Sequence, residues 1–351
     1  MAKEKDEPKP RPIDRARDGA GSARIPPECG NIVAVKVIAD RVFLLAERCL
    51  SSGVFADHID PDRTNPNLPP IIQQKELNFG VEHLFVRKTL GAGFELADRT
   101  HLPEAVGVDD LLSIVLDAAS SLASVLEVAD ELRQHQEEMR EASKARKLTA
   151  AYVPRTPNLQ AKVRQCLAGL RDVEISVKRL TTLFYPKDAQ NDPWDAKVQP
   201  AMTTKYGDVE GFEEWRQAAW RALNEVAHHR HAMIHPDKSK SVTIHDYELQ
   251  AEGALLAPTI EVAHQVSPVT RRDVVQFLDS QVANISEVFE AMLGYLCDLN
   301  ARDFHPLFES SVTALPDGEH RNGAHLIWRT TARVGAPFGG GVTPPPSAAQ
   351  Q

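Results

Sequence analysis

Apolar residues recur at three-to-four spacing along most of this chain, which predicts helices joined by polar, proline-rich loops. In "NIVAVKVIADRVFLLAERCLSSG", Val33, Val37, Ile38, Val42, Leu45 and Cys49 share one helical side, and Gly53 makes a stop. The loop "DHIDPDRTNPNLPP" follows, then a second predicted helix around Gln73–Leu90 with Leu77, Val81, Leu84 and Phe85 inward. From about Asp109 to Lys147 the period is sustained by Leu112, Val115, Ala119, Leu122, Leu126 and Leu132. The second half of that helix, "QHQEEMREASKARK", is almost wholly polar, so it is expected to project into solvent or pair with a partner chain.

A second helical group begins at "TPNLQAKVRQCLAGLRDVEISVKRLTTLFYP", with Thr156 as the expected N-cap and Pro157 in the first turn. After a loop rich in Asp, Pro and Gln comes "VEGFEEWRQAAWRALNEVAHHRHAMIHPD". Phe212, Trp215, Ala219, Leu223 and Val226 form its stripe, and Pro236 stops it near Ile234 or His235. Val242–Val266 alternates loosely and is β-branched in parts, which predicts an irregular hairpin. A last helix is expected from about Thr270 to Asn300, and "HLIWRTTARV" as a short strand. The fold class read from this pattern is all-α, a helical bundle with a minor irregular β-hairpin. Its expected divisions are a disordered tail (1–28), an N-terminal helical region (30–150), a helical domain (156–300) and a disordered tail (331–351).

Charge narrows the functional classes. A net charge of −9 argues against broad coating of nucleic acid while leaving room for a local basic site. The N-terminus is charged and Pro-rich rather than signal-like, and "LLSIVLDAASSLASVLEVA" contains Asp117 and several serines, so a buried helix face is expected rather than a membrane span. Cys29, Cys49, Cys166 and Cys297 form no C-x-x-C pair, from which no disulfide framework and a cytoplasmic location are expected.

The densest chemistry is "EVAHHRHAMIHP", which places His228, His229, Arg230, His231 and His235 at a helix end. Three readings compete. His228, His231 and His235 lie on one helical stripe, and "EVAH" occurs twice, at Glu225–His228 and Glu261–His264, half of a di-iron carboxylate pattern. The second copy sits in a short island between Pro258 and Pro268, too short for a bundle helix, and no metal or other cofactor is expected. A solvated helix end is the second reading, since cationic histidine suits the negative end of the helix dipole. The third is metal-free phosphodiester cleavage, in which histidine takes a 2′-hydroxyl proton and arginine's fork stabilises the phosphorane oxygens. Arg230 and His235 diverge by about 140° around an ideal helix, a geometric demand that a turn at Pro236 relaxes.

"RHAMIH" matches the signature of the HEPN superfamily: arginine, a polar residue such as Asn, Asp or His, three further residues, then histidine, at the end of a core helix. The segment from about Thr156 to Asn300 resembles those α-helical domains, many of them metal-independent ribonucleases of toxin or antiphage defence systems. The resemblance implies an RNA substrate and a homodimer with both Arg/His pairs facing one cleft. It also implies Arg230 and His235 as catalytic residues, His235 being the general base, with His231 as the supporting polar position. A protein partner or antitoxin is expected at the N-terminal helices. His228, Arg271 and Arg272 are expected to contact substrate, the two arginines at the start of the last helix. A non-catalytic protein–protein interaction module and a metal-binding carboxylate/histidine bundle are the alternatives. "DHIDPD" is read as a solvated turn and His245–Asp246 as a strand-flanked pair without metal chemistry. Trp194, Trp215 and Trp220 are candidates for stacking bases, Trp215 being read as core because it shares the apolar stripe of its helix.

Overall fold

The computed structural model describes residues 11–18, 25–145, 153–186, 194–251, 253–303, 305–316 and 318–333. Most of the two predicted disordered tails, the Asp/Pro/Gln loop at 187–193 and the end of the long helix at 146–147 lie outside the described residues. Pro12–Asp18 (α1), inside the predicted N-terminal tail, is helical, and its Arg17 guanidinium pairs with Asp57 and Asp60.

Residues 32–77, predicted to be helical over much of their length, form a four-stranded antiparallel meander of β1 (Ile32–Ile38), β2 (Arg41–Ala46), β3 (Leu50–Phe55) and β4 (Ile71–Leu77). The same apolar residues that fit a helix also alternate. Ile32, Val33, Val35, Val37, Ile38 and Val42 are β-branched and prefer the pleated surface. A two-residue turn at Ala39–Asp40, with Ala39 at φ 52°, fixes the β1–β2 register of Val37 opposite Val42. Gly53 is therefore a residue within β3, opposite Gln73, and not a helix stop. Short α2 (Ala56–Ile59) leads into the β3–β4 loop. Cys29 and Cys49 are disulfide-bonded across a Cα–Cα distance of 5.2 Å, which corrects the expectation of no disulfide and removes the premise on which a cytoplasmic location was expected. Cys166 and Cys297 are free and buried.

Short α3 (Leu84–Val86) and α4 (Ala92–Leu96) precede the core bundle: α5 (Val108–Ala145), α6 (Leu159–Phe184) and α9 (Val274–Leu299), which pack on one another. By length and composition α5 is apolar enough to cross a membrane. Its apolar residues, Leu111, Leu112, Val115, Leu122 and Leu132 among them, are buried in this bundle. Helix α6 starts at Leu159 with Asn158 in the left-handed region as N-cap, so Thr156 is not the cap. Short α7 (Gln199–Tyr206) precedes α8 (Phe212–Ile234), which lies against α6 and α9.

Between α8 and α9 the chain builds a three-stranded antiparallel sheet in the order β5 (Lys240–His245), β8 (Thr259–His264), β9 (Val269–Asp273), with a two-stranded ladder of β6 (Glu248–Leu249) and β7 (Leu255–Leu256). Strand β9 uses up the predicted start of the last helix, which begins at Val274 with the Asp273 carboxylate accepting the Gln276 amide. The predicted C-terminal strand pairs with a segment the periodicity did not reveal: β10 (Phe308–Ala314) and β11 (Leu326–Ala332) form a hairpin against α9 and α4. Among the described residues there are four antiparallel sheets, so the architecture is mixed α/β. This corrects both the all-α expectation and the all-α domain that the HEPN resemblance implies for 156–300.

Candidate functional site at the end of α8

Helix α8 begins with Glu213 and Glu214 in its first turn, where carboxylates meet the positive end of the dipole. Its buried stripe is Phe212, Ala219, Leu223, Val226, His229 and Ala232. Pro236 disfavours helical geometry at the preceding residue. His235 accordingly sits at the C-cap with φ −126° and ψ 64°, its amide still donating to the His231 carbonyl at 2.8 Å.

Two histidines turn inward. His229 is only 1% exposed, tilted against Phe277 of α9 with ring centroids 5.8 Å apart. Its Nε2–H donates to the Ser267 carbonyl at 3.1 Å, which leaves Nδ1 as an acceptor without a partner among the described residues. Burial pushes its pKa down to about 4, so the ring is neutral at ordinary pH. His228 stacks on His264 of β8 at 4.4 Å, and its Nδ1 lies 2.9 Å from the Ser267 hydroxyl. Desolvation first, then His264 and His231, lower the His228 pKa. His264 Nδ1 accepts the Val266 and Ser267 amides, which assigns its proton to Nε2. The histidines of the two "EVAH" copies thus meet, though one is on a helix and the other on a strand. That corrects the two-helix carboxylate pattern. Among the described residues no group of three His, Cys, Asp or Glu is placed to hold a metal ion.

Three groups face solvent: Arg230, His231 and His235 are exposed. The His231 and His235 rings meet edge to face at 5.3 Å, a consequence of their i, i+4 spacing. The Arg230 side chain makes no ion pair or hydrogen bond with another described residue. Desolvation first, then Lys240 and His235, lower the His231 pKa. Lys240 is itself held by Asp237 at 2.8 Å. The predicted stripe of His228, His231 and His235 therefore divides. The outer pair belongs to solvent, and His228 belongs to the seam with β8.

The remaining predicted substrate contacts are occupied. Arg271 and Arg272 lie on β9: Arg271 pairs with Glu248 at 2.7 Å and donates to the Thr259 hydroxyl, and Arg272 lies 3.5 Å from the Ser280 hydroxyl. Asp57 and Asp60 of "DHIDPD" are taken by Arg17 and Arg63. Trp194 stacks on Trp220, and Trp215 joins Tyr206, Phe212 and Tyr295 in an aromatic cluster.

What the sequence did not reveal is an open groove of about 980 Å³ beside this helix end. Ile234 forms part of one wall, and Arg155, Thr156, Asn158, Arg164 and Asp246 contribute to the rest. The Asp246 carboxylate accepts the amides of Thr156 and Tyr247 and so pins the turn leading into α6. The motif lies on α8, and the two arginines before and within α6 carry no motif that marks them. No protein-family model, curated protein or solved structure matches this chain.

Proposed function

We propose that the solvent face at the end of α8 cleaves RNA without a metal ion, by attack of the 2′-hydroxyl on the adjacent phosphate. The observation that carries this reading is the exposed His231–His235 ring pair, with Arg230 preceding His231 in the chain, exposed, and its side chain without an anionic partner among the described residues. Internal attack needs a base for the 2′-hydroxyl, an acid for the departing 5′-oxygen, and a cation for the phosphorane. His231, whose pKa is held below the ordinary imidazole value, is the neutral partner and takes the hydroxyl proton. His235 returns a proton to the 5′-oxygen, and Arg230 receives the non-bridging oxygens on its planar fork. The products are a 2′,3′-cyclic phosphate and a 5′-hydroxyl. This moves the general base from His235, where the resemblance put it, to His231, expected only as a supporting position, and it needs only groups of one chain.

The test is digestion of total RNA in EDTA by the full chain and by Arg230→Ala. The wild type cleaves, and the variant is slower by about 10²-fold or more. Equal rates, or activity that EDTA abolishes, contradict the proposal. The pH profile gives an independent check. Because the base must be deprotonated and its pKa is lowered, the acidic limb of kcat/KM falls below pH 6.5, the ordinary histidine value.

A further inference from the structure

The groove at the start of α6 has features that the chemistry at α8 leaves unused. Its lining carries two arginines, Arg155 and Arg164, against one carboxylate, Asp246. That carboxylate is already engaged by the Thr156 and Tyr247 amides, with the Arg155 guanidinium 3.9 Å away. The long helix α6 opens into the groove with its N-cap residue, Asn158, making no side-chain cap. First-turn amides of a helix have no intrahelical acceptor, and together with the dipole they favour an anion. Thr156 supplies the independent observation. It lines the groove, is only 3% exposed, and its hydroxyl has no hydrogen-bond partner among the described residues. A buried hydroxyl without a partner costs free energy, which an oxygen acceptor in the groove would offset.

We infer that this groove is a phosphate subsite for single-stranded RNA, holding a non-scissile phosphate through the α6 amides, Thr156, Arg155 and Arg164. Ile234 immediately precedes His235, so a strand lying in the groove passes the end of α8. The inference rests on the RNA reading of that helix end and names how the substrate is held there. Its apolar floor, which includes Leu159 and Ile244, suits the face of a base next to the bound phosphate.

Binding and cleavage are measured separately. Fluorescence anisotropy with a 2′-O-methyl oligoribonucleotide, which cannot undergo internal attack, reads binding by the full chain. The Arg155→Gln/Arg164→Gln variant binds about tenfold or more weaker, and the slope of log K against log salt falls by about one to two. Arg179→Gln, elsewhere on α6, removes an arginine that pairs with Asp117 of α5 and leaves both quantities unchanged. Thr156→Val weakens binding without lowering thermal stability, because it deletes a hydroxyl that has no partner in the fold. Wild-type affinity in the double-arginine variant, a loss matched by Arg179→Gln, or no binding by the wild type overturns the subsite. Wild-type affinity in Thr156→Val removes that hydroxyl from the contact and overturns the subsite as drawn. On unmodified RNA the double variant raises KM and leaves kcat within about twofold. Groove-dependent binding without any cleavage overturns the catalytic reading and leaves the subsite standing.

Discussion

Burial between α8 and the β8–β9 turn keeps His229 uncharged, and that has a thermodynamic consequence separate from any reaction at the surface. Its pKa falls from the ordinary 6.5 to about 4 on folding. Between those values the unfolded chain binds the proton and the folded chain does not. The stabilisation is therefore complete above pH 6.5 and lost as pH falls toward 4, amounting to about 3 kcal/mol over the window. The depressed pKa of the neighbouring His228 acts with the same sign. Urea midpoints measured from pH 7.5 to 4.5 are expected to fall steeply for the wild type and more gently for His229→Leu. Parallel curves would show that this imidazole is not the group responsible. The identities and spacing of the five polar side chains in "HHRHAMIH" were legible in the sequence, but not the directions in which they point. Periodicity put His228 with His231 and His235, whereas Ser267 and His264, distant in sequence, draw His228 to the seam.

At the scale of elements, the four long helices were legible because their apolar period runs over many turns and Pro236 marks the end of α8. The strands were not, because β1–β3 are short and their β-branched residues fit both periods within such windows. Strand β2 is buried along Phe43–Ala46, so no polar alternation betrays it. The pairing of Cys29 with Cys49 depends on that sheet and was invisible for the same reason. It closes a separation of 20 residues, for which chain entropy gives about 3 kcal/mol. Reduction, or Cys29→Ala/Cys49→Ala, is expected to lower the unfolding free energy by that order; an unchanged denaturant midpoint would contradict it. Gly80 offers a sharper test of the chain path. A Cβ there would lie 2.3 Å from the Ala46 carbonyl oxygen and 2.4 Å from the Arg48 nitrogen, both backbone. Gly80→Ala is expected to cost about 2 kcal/mol or more, since neither atom can turn aside as a side chain would. A variant as stable as the wild type would require a different approach of these segments.

At the scale of the whole molecule, one hydrophobic core runs from the meander through α5, α6 and α9 to β8, so the two halves suggested by the helical pattern share their packing. The sheet of β5, β8 and β9 covers one side of α8, leaving the end of that helix and the start of α6 to meet at an open groove. The short signature "RHAMIH" located the helix end. It carried no information about the groove, whose lining comes from three separate stretches of chain. Two imidazoles and one guanidinium on this surface are proposed to cleave RNA through its own 2′-hydroxyl. The most direct measurement is single-turnover cleavage, in EDTA, of an oligonucleotide that is deoxyribose except at one ribose. The expected result is a single cut after that ribose, leaving a cyclic phosphate, with His231→Ala and His235→Ala each slower by about 10²–10⁴-fold. Cutting at deoxyribose positions, or undiminished cutting by either histidine variant, would contradict it.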